Sequence, residues 1–317
     1  PDLLATSRAE AIDDLVSERR VNASVDDGGS SNRSGDDPHT VSIGEEPAPT
    51  HLETLGPGPI EVRLLTPTPR IDGLLRPLAP KRARRATELV AYLALHHPGP
   101  VTSDLLRTRV LGSAEADAAR KTLMNIAATA RSAMGVDHSG RLRFPRASRT
   151  GLYRLSAEVT ADADRAVHLV EEGRTAADPD EAMALLRAAL DLVEGEPLVN
   201  VPTGYGWWSG EAHERRTASA LVDGACLLAR LAVAAGHIEL ARWGLDQARL
   251  LDPYREVLTR AAMRLAAQIG DIDSLRREWA DCRRRVDELD PGSLPSEATE
   301  RLYAHLRRAP TASGLVD

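Results

Sequence analysis

The stretch VTSDLLRTRVLGSAEADAARKTLMNIAATARSAMG, residues 101–135, decides the fold. Thr102 or Ser103 offers a side-chain oxygen to cap a helix N-terminus. Leu105, Leu106 and Val110 follow at helical spacing, and Gly112 closes the segment. A longer helix is expected from about Glu115 to Met134, with Leu123, Ile126, Ala127, Ala130 and Met134 as its inward stripe and Gly135 as its cap. Its other face carries Arg120, Lys121, Asn125 and Ala128. A short helix, a glycine turn and a long helix with one polar face make a unit that needs neighbours to bury its apolar side.

Those neighbours lie on both sides. Upstream, Ala86, Leu89, Val90, Leu93 and Leu95 mark a helix from Lys81 that stops at His97-Pro98-Gly99. Before it, Glu61 to Thr66 alternates around Val62, Leu64 and Leu65, Pro67-Thr68-Pro69 breaks the run and Ile71-Asp72-Gly73 turns it, which predicts a small antiparallel sheet. Downstream, Arg141-Leu-Arg-Phe-Pro and Gly151-Leu-Tyr-Arg-Leu read as two strands around a basic loop. From Asp162 onward helical patterns succeed one another, jointed by Gly, Asp and Pro. Ala235-Gly-His-Ile-Glu-Leu-Ala and Ile269-Gly-Asp-Ile-Asp-Ser-Leu align at an offset of 34, the tetratricopeptide period of one helix pair per repeat. Leu251-Asp-Pro is echoed by Leu289-Asp-Pro. Stacked pairs create a concave surface that binds protein segments or packs on a neighbouring domain.

The net charge of -7 over 317 residues hides a division. Residues 1–59 hold 12 acidic and 4 basic side chains among Gly, Ser, Asp and Pro, a disordered acidic linker with one short helical pattern around Leu3, Leu4, Ile12, Leu15 and Val16. Residues 60–160 hold 17 basic against 8 acidic, and residues 161–317 hold 19 against 27. A basic segment between acidic flanks is the distribution of a nucleic-acid surface confined to mid-chain. Aromatics are 3% of the chain, so helix is favoured over a sheet-built core. The expected fold is mainly α: a small α+β domain over 60–158, an all-α tetratricopeptide-like repeat domain over 159–309, and a flexible tail over 310–317.

Enzyme chemistry finds no footing. The two lysines, Lys81 and Lys121, follow Pro80 and Arg120, so no Gly-Lys-Ser/Thr phosphate loop exists. There is no G-x-S-x-G, H-E-x-x-H or C-x-x-C, and Gly56-Pro-Gly58 is no dinucleotide fingerprint. His96-His97 and His213-Glu214 read as surface residues without second ligands, so neither metal nor cofactor is expected. Cys226 and Cys282 fit separate reduced thiols. Trp208 reads as core and Trp207 as freer to face solvent; Arg283-Arg-Arg reads as a solvated helix face. No apolar run of membrane-spanning length is expected, so the segment is assigned to the cytoplasm without membrane contact. Pro1 in place of Met leaves an upstream tether open.

The order of sheet, three helices and hairpin resembles the winged helix-turn-helix of response-regulator type. Ile60-Glu-Val-Arg-Leu-Leu, Leu78-Ala-Pro-Lys-Arg, Glu88-Leu-Val-Ala-Tyr-Leu-Ala-Leu-His-His-Pro-Gly and Val101-Thr-Ser-Asp-Leu-Leu are similar to the DNA-binding half of SARP-type bacterial activators. Asp178-Pro-Asp-Glu-Ala-Met-Ala-Leu-Leu-Arg-Ala-Ala-Leu, Gly195-Glu-Pro-Leu, Trp208 with Glu211, and Leu251-Asp-Pro-Tyr-Arg-Glu resemble their partner module, the bacterial transcriptional activator domain. The resemblance spans about residues 60–308. It implies a transcriptional regulator whose third helix enters the major groove while the hairpin wing reaches the minor groove.

On that face Arg120 and Lys121 suit phosphates and Asn125 suits bidentate pairing with adenine. Arg131 ends the helix, and Arg141, Arg143, Arg146 and Arg149 run through a wing loop without acidic residues. Double-stranded DNA is the expected partner, with about four to six phosphate contacts giving a log–log salt slope of about -4 to -5. The helical half is expected to hold a protein partner or a second copy. A second reading, motivated by Arg131 being the one arginine in Asn125-Ile-Ala-Ala-Thr-Ala-Arg-Ser-Ala-Met-Gly, is an interaction scaffold whose winged helix has lost most DNA affinity.

Overall fold

The computed structural model describes residues 59–112 and 116–308. The acidic linker, its short helical pattern and the tail therefore lie outside the described residues.

Strand β1 (Ile60–Arg63) pairs antiparallel with β2 (Arg70–Asp72), Val62 opposite Ile71. Its other edge pairs in parallel with β5 (Val159–Ala161), Ile60 opposite Val159, so the expected two-stranded sheet has a third strand from a hundred residues downstream. Helix α1 (Pro80–Leu95) begins on Pro80, whose missing N–H costs nothing in a first turn. Strand β3 (Val101–Thr102) leads into α2 (Ser103–Leu106), where the Thr102 hydroxyl accepts the Leu105 N–H as expected. A π-helical turn (Arg107–Leu111) prolongs α2 until Gly112, at φ +63°, ends it. Helix α3 (Ala116–Met134) buries Leu123, Ile126, Ala127, Ala130 and Met134.

The wing departs from the expected hairpin. Strand β4 (Leu152–Tyr153) pairs with β3, Val101 opposite Tyr153. Residues 141–143 form no strand with it; Leu142 bridges Val136, and the Arg143 carbonyl accepts the Ser156 N–H. Phe144, fully buried, is pulled under α3 and draws this arm of the loop inward. Only the tip, closed by Ser148 N–H to Leu152 O and Gly151 N–H to Ser148 O, keeps the form of a hairpin.

The helical half runs α4 (Asp162–Thr175), α5 (Pro179–Leu190), α6 (Gly206–Gly210), α7 (His213–Ala234), α8 (Ile238–Arg249), α9 (Glu256–Gln268), α10 (Ile272–Leu289) and α11 (Glu297–Leu306). The offset of 34 is structural: Ile238 and Ile272 each open the second helix of a pair, after Gly236 and Gly270 at φ +80° and +75°. Asp178 and Asp271 cap α5 and α10 by accepting the Asp180 and Ser274 amides. By length and composition α7 could cross a membrane, where no such run was expected; here it is the central helix, packed on α4, α5, α8 and α9. Between α6 and α7 Ala212 is left-handed, at φ +63°.

The two halves share one buried core running from Ile60 to Leu265. Cys226 and Cys282 are free thiols, and of Arg283-Arg-Arg the first two are solvated while Arg285 reaches the Thr259 hydroxyl at 3.2 Å.

Candidate nucleic-acid interface

Helix α3 turns Arg120, Lys121, Thr122, Met124, Asn125 and Ala128 to solvent, Met124 with 58% of its surface exposed. An apolar side chain that open in the middle of a polar face departs from the usual economy of a surface helix. Of the wing residues Arg141, Arg146 and Arg149 are exposed. Burial lowers the pKa of Arg131, the charge of nearby Arg146 lowers it further, and Arg120 lies near Tyr153 on β4. The helix face and the wing tip are therefore adjacent.

Two expected DNA contacts are directed elsewhere. Arg143 is 3% exposed; its Nε donates to Glu158 at 3.1 Å and its Nη1 to the Met134 carbonyl at 3.2 Å, which fastens the wing to the end of α3. Arg131 donates to the Phe144 and Pro145 carbonyls at 2.8 and 3.3 Å and lies over the Phe144 ring. Both arginines build the wing root. A sequence cannot separate them from Arg146 and Arg149, because alternation in an irregular loop carries no fixed inward phase.

The interface stands on a rigid mount. The Leu64 and Leu65 amides donate to the fully buried Asp162 carboxylate at 2.8 and 3.0 Å; burial nevertheless pushes its pKa up to about 6. Glu194 accepts from Arg63 at 2.6 Å and from both terminal nitrogens of Arg70 at 2.7 Å, which holds its carboxyl down at about 2. The Glu88 side chain on α1, 0% exposed, accepts the Tyr205 N–H at 2.7 Å and pairs with Arg85 at 2.9 Å. These contacts tie β1, β2 and α1 to the helical half.

The aromatic cluster belongs to the same joint. Trp207 is 2% exposed, contrary to the expectation of a freer ring, because α1 lies over it and Tyr92 meets it edge-on at 5.1 Å. His96 and His213 are likewise not isolated surface residues. His96 stacks on Tyr92 at 4.2 Å and His213 on Trp208 at 6.2 Å, and Glu211 stands between them. Burial lowers the pKa of His213. No signal in the sequence joins residues 96 and 213, since the join is made by packing of α1 on α6.

Residues 161–307 match the family model of the bacterial transcriptional activator domain. Among solved structures, Mycobacterium tuberculosis EmbR in complex with a low-affinity phosphopeptide is similar to this chain at 20% identity and a TM-score of 0.58. The likeness covers 80% of this chain and 66% of that one, just under two thirds of its length. No curated protein matches. At that identity the likeness speaks for the fold, and it extends across the winged helix that the family model does not reach. The chain thus has the fold of a winged helix joined to a helical part that is similar, over residues 161–307, to the bacterial transcriptional activator domain, in line with the SARP-type resemblance.

Proposed function

We propose that the protein is a DNA-binding transcriptional regulator acting in the cytoplasm. Helix α3 lies in the major groove, and the wing tip contacts the flanking backbone. The helical half meets a protein partner or a second copy. The observation that carries this reading is the continuous exposed face of Arg120, Lys121 and Asn125 on α3 beside Arg141, Arg146 and Arg149 on the wing, with Arg131 and Arg143 turned inward to hold it. Arg120 and Lys121 neutralise phosphates, Asn125 reads an adenine edge, and Met124 provides apolar contact for a thymine methyl group. The boundary between DNA-binding and activator parts is placed at 158/159 in sequence, although β5 completes the sheet of the first part.

An electrophoretic shift with duplexes tiled across the chain's own genomic neighbourhood tests this. A retarded complex is expected, and Arg120→Ala/Lys121→Ala should weaken it by ~10-fold or more at about 0.1 M salt. Equal affinity of that variant and the parent for every retarded duplex would remove α3 from the interface. The scaffold reading gains if no duplex is retarded.

A further inference from the structure

Near the joint of the two halves, three ligand-type atoms converge. His96 Nε2 lies 3.2 Å from Glu211 Oε2, and His213 Nε2 lies 3.7 Å from the same oxygen. All three atoms fall within 4.8 Å of one another. Ligands on one edge of a tetrahedral zinc site are about 3.3 Å apart, so the cluster is near the dimension of a bound ion.

The hydrogen bonds around it determine which atoms are available. His96 Nδ1 is 2.7 Å from the Tyr92 carbonyl, an acceptor, so Nδ1 carries a proton and Nε2 is the nitrogen turned to Glu211. Glu211 Oε1 is already taken by Arg109 Nε and the Tyr92 hydroxyl, each at 3.1 Å, which orients the carboxylate and leaves Oε2 for the imidazoles. Nε2 and Oε2 thus face each other across 3.2 Å, a gap that either an imidazole proton or a bound cation bridges. An imidazole Nδ1–H bonded to a backbone carbonyl is also the usual outer support of a metal-binding histidine. The rings are fixed in advance by stacking on Tyr92 and Trp208. Asp164, on α4, interacts electrostatically with both histidines and adds negative potential.

We propose that His96 Nε2, His213 Nε2 and Glu211 Oε2 bind a divalent cation of the zinc class, with water completing its shell. Two imidazoles and a carboxylate are a borderline-soft set that suits zinc over magnesium or calcium. His96 ends α1 of the winged helix, whereas Glu211 and His213 belong to the helical half, so the ion clamps one to the other.

The test uses the intact chain, stripped with EDTA and titrated with Zn2+ by calorimetry, with thermal unfolding followed in parallel. One ion per chain and a rise in unfolding temperature with Zn2+ are expected. His96→Gln/His213→Gln should weaken binding by ~100-fold or more and abolish the rise. Glu211→Gln, which keeps the shape facing Arg109, should also weaken it, so the outcome does not hang on one variant. His168→Gln/His305→Gln, at histidines outside the cluster, should change nothing. Absence of saturable uptake by the parent chain overturns the proposal, as does uptake retained by both cluster variants or lost in the control.

Discussion

Arg143 and Arg146 stand three residues apart in one basic loop and face opposite ways. Arg143 is enclosed and paired with Glu158, so Arg143→Ala leaves a partly buried carboxylate short of its partner and should destabilise the fold by about 2–3 kcal/mol in urea titrations. Arg146→Ala should leave stability within about 0.5 kcal/mol and lower DNA affinity instead. The opposite assignment of effects would show that the wing is turned over. Glu194 sets a pH dependence of known sign. Its hydrogen bonds from Arg70 and Arg63 depress its pKa from the ordinary glutamate range near 4.3 to about 2. The stability it contributes is therefore complete above the unfolded value and lost as pH falls from about 4 through 2. Glu194→Gln should flatten the stability–pH curve in that window. A curve of unchanged slope there would mean the strap to Arg63 and Arg70 is not formed.

Among the elements, helix pairs in the activator domain approach closely where a glycine permits it. A Cβ on Gly173 of α4 would meet Leu186 Cγ of α5 at 2.9 Å, and one on Gly224 of α7 would meet Val170 Cγ2 of α4 at 2.9 Å. Alanine in an open helix position gains about 1 kcal/mol over glycine. At Gly173 crowding should outweigh that gain, and Gly173→Ala should lose about 1–2 kcal/mol by chemical denaturation. A more stable variant would show that α4 and α5 stand farther apart. Elements of this kind were legible in sequence wherever the signal was local. Thr102 and Gly112 bound the α2 segment, the apolar stripe of α3 lies inside, and the offset of 34 reappears as Ile238 and Ile272. What escaped were pairings between distant segments: β5 on β1, the inward course of Arg131 and Arg143, and Trp207 under α1. Each is decided by which surface arrives from elsewhere, and no periodicity records that.

For the molecule as a whole, the mount is as informative as the interface. The sheet that supports the winged helix is completed by β5, and the Leu64 and Leu65 amides that follow β1 end on Asp162, so winged helix and helical half are one mechanical body. A fragment spanning 60–158 forfeits that strand and both hydrogen bonds. It should show no cooperative thermal transition, whereas 60–308 should unfold in a single one; two independent transitions in the longer fragment would contradict a shared core. In the proposed function α3 and the wing tip together neutralise DNA phosphates. Affinity measured against salt for the intact chain and for Arg120→Ala/Lys121→Ala/Arg146→Ala/Arg149→Ala tests it most directly. A log–log slope of about -4 to -5 is expected for the intact chain, falling to about -1 in the variant; a slope identical in the two proteins would remove α3 and the wing tip from the DNA interface.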